Sequence, residues 1–137
     1  MNILILEHEI YLQQKIIMRL QDEGHDCVNI TTVDEANKKN KFDMILISLS
    51  YSTKDIDSII EIYPKTTIIF LGLCNESIYK KYISMEKAKD YITKPFSINE
   101  LIRKVNHYNE FNILKEENRI LEYYHDFVSK KEEEDVS

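Results

Sequence analysis

Only two glycines and two prolines occur in the 137 residues, and neither type occurs beyond Pro95. A helix begun after that proline meets no residue that breaks it, so a long C-terminal helix is expected. Cysteine is equally scarce. Cys27 and Cys74 lie far apart and form no CxxC pair, which argues against a zinc site, more strongly against a disulfide framework, and for two small buried apolar side chains. No apolar run reaches the length of a membrane span, and the opening Met-Asn-Ile-Leu-Ile-Leu leads into Glu7 without the basic start of a signal peptide. A cytoplasmic location and no membrane partner are therefore expected. A basic block is missing too. The 18 Lys and Arg are spread among 24 Asp and Glu for a net charge of −6, so direct nucleic-acid binding by this chain is not expected.

What the chain does have is a regular alternation of short apolar runs and longer amphipathic ones. Asn2 to Leu6 reads as a buried strand, and Ile10, Leu12, Ile16, Ile17 and Leu20 then recur at helical spacing until Gly24 can supply a left-handed cap. Strands follow over Cys27 to Ile30, Met44 to Leu49, Thr66 to Leu71 and Asp90 to Thr93. Between them lie a short helix from Thr32 to about Lys39, with Thr32 and Glu35 at capping-box spacing, and helices over Asp55 to Tyr63 ahead of Pro64 and over Ser77 to Met85. Ser97 opens the last helix as its N-cap, with Glu100 three positions on. Five strand-helix units with central strands apolar on both faces imply an α/β fold: a doubly wound, five-stranded parallel sheet of flavodoxin-like order 2-1-3-4-5. In such a sheet the carboxyl ends of the first and third strands flank a crevice, which brings Glu7, His8 and Ser48 together. Glu7, His8 and Glu9 are not expected to share a metal ion, because adjacent side chains diverge.

Four segments carry a family resemblance. These are Asn2 to Glu9 (NILILEHE), Phe42 to Ser48 (FDMILIS), Thr67 to Gly72 (TIIFLG) and, most specific, Ala88 to Phe96 (AKDYITKPF). Over roughly its first 108 residues the chain resembles the receiver domain of bacterial two-component response regulators. The resemblance implies a domain that accepts a phosphoryl group from a histidine kinase onto an aspartate, assisted by magnesium. Residue by residue, the match is incomplete. Glu7 can serve as the first acidic position, His8 stands where a metal-binding aspartate is expected, and Ser48 occupies the acceptor position. Gly72 falls where a threonine or serine hydroxyl would bond the phosphoryl group, whereas Lys94 and Pro95 are retained and Tyr91 sits at the aromatic switch position.

Those losses reinforce one another. Magnesium prefers carboxylate oxygens in near-octahedral array, and imidazole is a poor substitute, so weak or no magnesium binding and no other cofactor are expected. Serine without an adjacent base is a slow nucleophile. Lys94 is expected to pair with Glu7, and the chain is expected not to be an enzyme. The working surface would lie on the helix over 77–85, the fifth strand and the last helix, around Ile78, Tyr79, Tyr82, Tyr91 and Leu101.

Residues 109–137 read as a helical extension. Phe111, Asn118 and His125 fall at a positions and Leu114, Leu121 and Val128 at d positions of a heptad seam, and a single asparagine at a selects a parallel two-stranded register. The closing SKKEEEDVS is charged and reads as linker. The expectation is an atypical receiver of an orphan regulator, independent of phosphorylation, forming a homodimer and controlling a DNA-binding output domain downstream, with a histidine kinase or other signalling protein as a further partner. A stand-alone adaptor or decoy for a kinase or chemotaxis component is the alternative. A third reading is phosphorylation or ligand binding at Ser48.

Overall fold

The computed structural model describes residues 1–37, 39–72, 80–82, 84 and 88–136. It divides into two compact units, Met1–Ile102 and Arg103–Ser137. The first is built on a five-stranded sheet of β1 (Asn2–Leu6), β2 (Asp26–Ile30), β3 (Met44–Ser48), β4 (Thr67–Gly72) and β5 (Ala88–Thr93), all parallel and ordered β2-β1-β3-β4-β5. This is the doubly wound order expected from the alternation of strand and helix.

The strands explain themselves by what covers them. Leu4 and Leu6 of β1, Ile45 and Ile47 of β3 and Phe70 of β4 form one cluster with Ile56, Ile59 and Ile60 of α2 (Thr53–Ile62). Successive strand residues face opposite ways, and Ile3, Ile5, Met44, Leu46 and Ile69 on the other face are equally buried. Each such side chain taken fully from water contributes about 1.5–3 kcal/mol, and the central strands β1, β3 and β4 accordingly carry no polar residue in mid-strand. The polar groups gather at the strand ends.

Helix ends follow local chemistry. Helix α1 (Ile10–Asp22) closes with Gly24 at φ 88°, where the His25 amide donates to the Leu20 carbonyl at 3.0 Å and the Gly24 amide to Gln21 at 2.9 Å. That pair of bonds satisfies two otherwise orphaned carbonyls. Helix α2 starts two residues before the expected Asp55, because the Ser52 hydroxyl accepts from the Asp55 amide at 3.1 Å and caps the turn. The Ser97 hydroxyl does the same for Glu100 at 3.1 Å, opening α3 (Ile98–Val136), a helix of 39 residues. The described positions 80–82 and 84 are helical, and the rest of the helix expected over 77–85 lies outside the described residues.

One element differs from expectation. In place of a helix running from Thr32 to about Lys39 there is a single 3-10 turn, Val33–Glu35. Thr32 caps no backbone amide; its hydroxyl and that of Thr31 donate into the Glu35 carboxylate at 3.2 and 3.0 Å. With the capping group spent on a side chain, the backbone is extended by Ala36. Among the described residues no helix is long and apolar enough to cross a membrane.

Candidate functional site

Four strand ends meet at the carboxyl edge of the sheet. Glu7 and His8 follow β1, Ser48 ends β3, Gly72 ends β4, and Lys94 follows β5 ahead of a cis peptide bond to Pro95. Backbone bonds fix their spacing: the Leu49 amide donates to the Leu71 carbonyl at 2.7 Å, and the Lys94 amide to the Gly72 carbonyl at 3.1 Å.

Lys94 crosses the crevice to Glu7. Its Nζ lies 3.0 Å from Oε1 and 2.8 Å from Oε2 of a carboxylate whose side chain is 1% exposed. The Oε1 contact is a directed hydrogen bond; the shorter approach to Oε2 lacks that alignment and acts as an ion pair. Glu7 Oε1 also accepts from the Glu9 amide at 3.1 Å. A buried carboxylate is costly unless a cation and donors surround it, and here both are supplied.

Ser48 is 1% exposed and its hydroxyl is already engaged. Oγ lies 2.8 Å from Ser50 Oγ, accepts from the Ser50 amide at 3.2 Å, and lies 3.5 Å from Lys94 Nζ. His8 does not join this group. Its exposed imidazole stacks on Tyr51 with ring centroids 3.9 Å apart and planes at 23°. The Tyr51 hydroxyl in turn donates to the Thr31 carbonyl at 2.9 Å. Burial, then the charges of Glu7, Asp55 and Glu35, push the Tyr51 phenol up to about 12. Beside this stack a cavity of about 280 Å³ opens between His8, Thr31, Asp34, Ser50, Tyr51 and Asp55.

Gly72 leaves little room for a side chain in its present conformation. Its φ is 152°, and a Cβ would stand 3.1 Å from that of Leu49. The carboxylate at the crevice is Glu7, and Lys94 pairs with it. Among the described residues no group of three His, Cys, Asp or Glu side chains could hold a metal ion.

Of the expected working surface, Tyr82 and Leu101 are fully buried and Tyr91 is half-buried against the core, whereas Ile78 and Tyr79 lie outside the described residues. Tyr82, expected on that surface, is turned inward instead. In the fold its ring packs on Phe70 at 5.2 Å and its hydroxyl donates to Asp57 of α2 at 2.8 Å. Lys81 reaches the other Asp57 oxygen at 3.3 Å. Burial, followed by the Asp57 hydrogen bond and charge, raises the Tyr82 phenol above its ordinary value.

Sequence reasoning also missed Ser50 and Tyr51. Their signal was slight: a hydroxyl and an aromatic just past a strand end. On the tail, Phe111, Leu114 and Leu121 are each more than half exposed, and Ile113, Ile120, Tyr123 and Tyr124 are half exposed or more as well. Asn118 and His125 are exposed; the Val128 side chain lies outside the described residues.

No family model matches the chain. The transcriptional regulatory protein BasR of Escherichia coli (strain K12) is 25% identical over 112 residues, which cover 77% of this chain and 50% of that protein. The chain thus spans about half the length of this curated relative. Among solved structures, the receiver domain of the Francisella response regulator 1452 superposes with a TM-score of 0.67 at 27% identity, covering 81% of this chain and 98% of that one. NtrX from Brucella abortus superposes with a TM-score of 0.73 at 25% identity, over 88% of this chain and 29% of that one. Together with the strand order and the Lys94–Pro95 turn, these likenesses assign the chain the receiver-domain fold of response regulators.

Proposed function

We propose that the chain is an atypical receiver-like signalling domain whose crevice is set by its own residues without phosphorylation, and which controls a transcriptional output domain. The observation that carries this reading is the Lys94–Glu7 pair at 2.8 Å, formed beside a serine that ends β3. In a phosphate-responsive crevice the lysine turns to the incoming anion. Here a fixed carboxylate already occupies it, and the neighbouring hydroxyl is turned into a Ser48–Ser50 bond. Magnesium has no role in this reading, and the domain carries out no chemistry.

The tail supports a dimer in the same reading. Phe111, Leu114, Asn118, Leu121, His125 and Val128 recur at alternating steps of three and four, and the described apolar members are exposed. A second copy would cover them. BasR, of which this chain spans half, is a transcriptional regulatory protein, which supports an output domain acting on DNA and a kinase as upstream partner.

Mass spectrometry after incubation with acetyl phosphate and magnesium is expected to show no added phosphoryl group, and beryllofluoride to leave thermal stability unchanged. A phosphoryl adduct on Ser48, or a tight beryllofluoride complex, would overturn the reading. Translation continuing beyond Ser137 into a basic helix-turn-helix segment is the expected result for the output domain; a stop codon there would favour the adaptor instead.

A further inference from the structure

We propose that the connection between β2 and β3, residues 31–43, is a two-state strap. One state is the form described above, a single 3-10 turn held by side chains. The other is a helix over Val33 to Lys39, and the phenols of Tyr51 and Tyr63 are the latches that choose between them.

Parallel neighbours in a sheet are usually joined through a helix, and this segment carries the signals for one. Thr32 and Glu35 stand at capping-box spacing, Asp34 and Glu35 fall in the first turn, Ala36 follows, and Lys39 lies at the end. The turn nevertheless stops at Glu35, and Ala36 is extended at φ −70° and ψ 138°. The same residues serve either form. Thr32 and Glu35, now joined side chain to side chain at 3.2 Å, cap the backbone in the helix. Val33 and Ala36, both packed against the core cluster, lie three apart on one helix face, so a helix keeps the same apolar pair on the core.

What holds the tied form comes from the two ends of α2. Tyr51, just before that helix, donates to the Thr31 carbonyl at 2.9 Å. Tyr63, just after it, donates to the Asn37 carbonyl at 3.0 Å and accepts from the Asn37 amide at 3.2 Å. In a helix over 33–39 the Asn37 amide goes to the Val33 carbonyl, so that contact and the helix exclude one another. The Asn37 side chain adds a local turn, accepting from the Lys39 amide at 2.9 Å. Tyr51 also carries the state of the strap to the crevice. Its ring stacks on His8, the residue after Glu7, and Thr31 to Asp34 form one wall of the 280 Å³ cavity beside that stack.

Chemical-exchange NMR on the full chain tests this through the Cα shifts of Val33 to Asn37. An extended value at Ala36 is expected for the wild type. Tyr51→Phe and Tyr63→Phe keep both rings in the core, and each is expected to raise the helical population about fivefold, as the loss of one hydrogen bond gives. Asn37→Ala, an exposed change that leaves both phenols in place, is expected to act in the same direction. Ala36→Gly added to Tyr63→Phe is expected to reverse the gain, because glycine disfavours the helix. The His8 ring signals are expected to move in Tyr63→Phe and Asn37→Ala, although both act at the far end of α2. Wild-type shifts retained by the Tyr51→Phe, Tyr63→Phe double variant overturn the latches, and random-coil values there overturn the helical state. Helical shifts with unmoved His8 signals overturn the link to the crevice.

Discussion

Glu7 is fully buried and charged, a combination tolerable only because Lys94 reaches both of its oxygens. Removing one partner leaves an uncompensated buried charge, so Lys94→Met is expected to cost about 3 kcal/mol of stability in urea denaturation. Glu7→Gln combined with Lys94→Met should recover much of that loss, because it removes both charges together. A single variant as stable as the wild type would show that the pair is not what holds the crevice. Tyr51 gives a separate test by pH. Its phenol is raised from 10.0 to about 12, so the folded state holds this proton more tightly than the unfolded chain does. The linked stability is fully present below pH 10 and is lost as pH rises toward about 12. Alkaline unfolding of Tyr51→Phe should lack this component. Equal pH profiles for the two proteins would count against the burial of that hydroxyl.

Elements were legible in the sequence to different degrees, for physical reasons. The three central strands could be read because each is apolar on both faces, and Gly24 and Ser97 could be assigned as an end and a cap because their chemistry is local, whereas the cap at Ser52 went unread. The Thr32–Glu35 spacing misled because a capping box and a carboxylate taking two hydroxyls look identical in sequence. Tyr82 misled because its burial depends on Phe70 and on Asp57, 12 and 25 positions away. In the crevice, the residue types at 7, 48 and 94 could be read from strand ends; the His8–Tyr51 stack and the Ser48–Ser50 bond could not, since both depend on how two loops approach. The Asp57 contact ties α2 to the helical turn at 80–82. Asp57→Ala and Tyr82→Phe should each cost about 1 kcal/mol, and the double variant little more than either, because they remove one shared bond. Full additivity in a double-mutant cycle would speak against that coupling. At the end of β4, Gly72→Ala is expected to cost about 1–3 kcal/mol through its positive φ and the approach to Leu49. A larger loss than Ala at Gly24, where the added Cβ meets nothing within 4 Å, is the comparison to make.

At the scale of the molecule, the sheet order puts the oldest and youngest parts of the first unit together. Glu7 leaves the ribosome early, and its partner Lys94 follows 87 residues later. At synthesis rates of about 5–20 residues per second, that is a delay of several seconds. During it, any compact arrangement of β1 between β2 and β3 must either hydrate the Glu7 carboxylate or protonate it. N-terminal fragments that stop before Lys94 should therefore collapse only loosely, and resist protease far less than fragments that include it. Equal protection of the two would mean that the early strands consolidate without their counter-ion. Unequal protection would make the ion pair a completion signal, one that withholds a closed β1 end until nearly the whole sheet has been made.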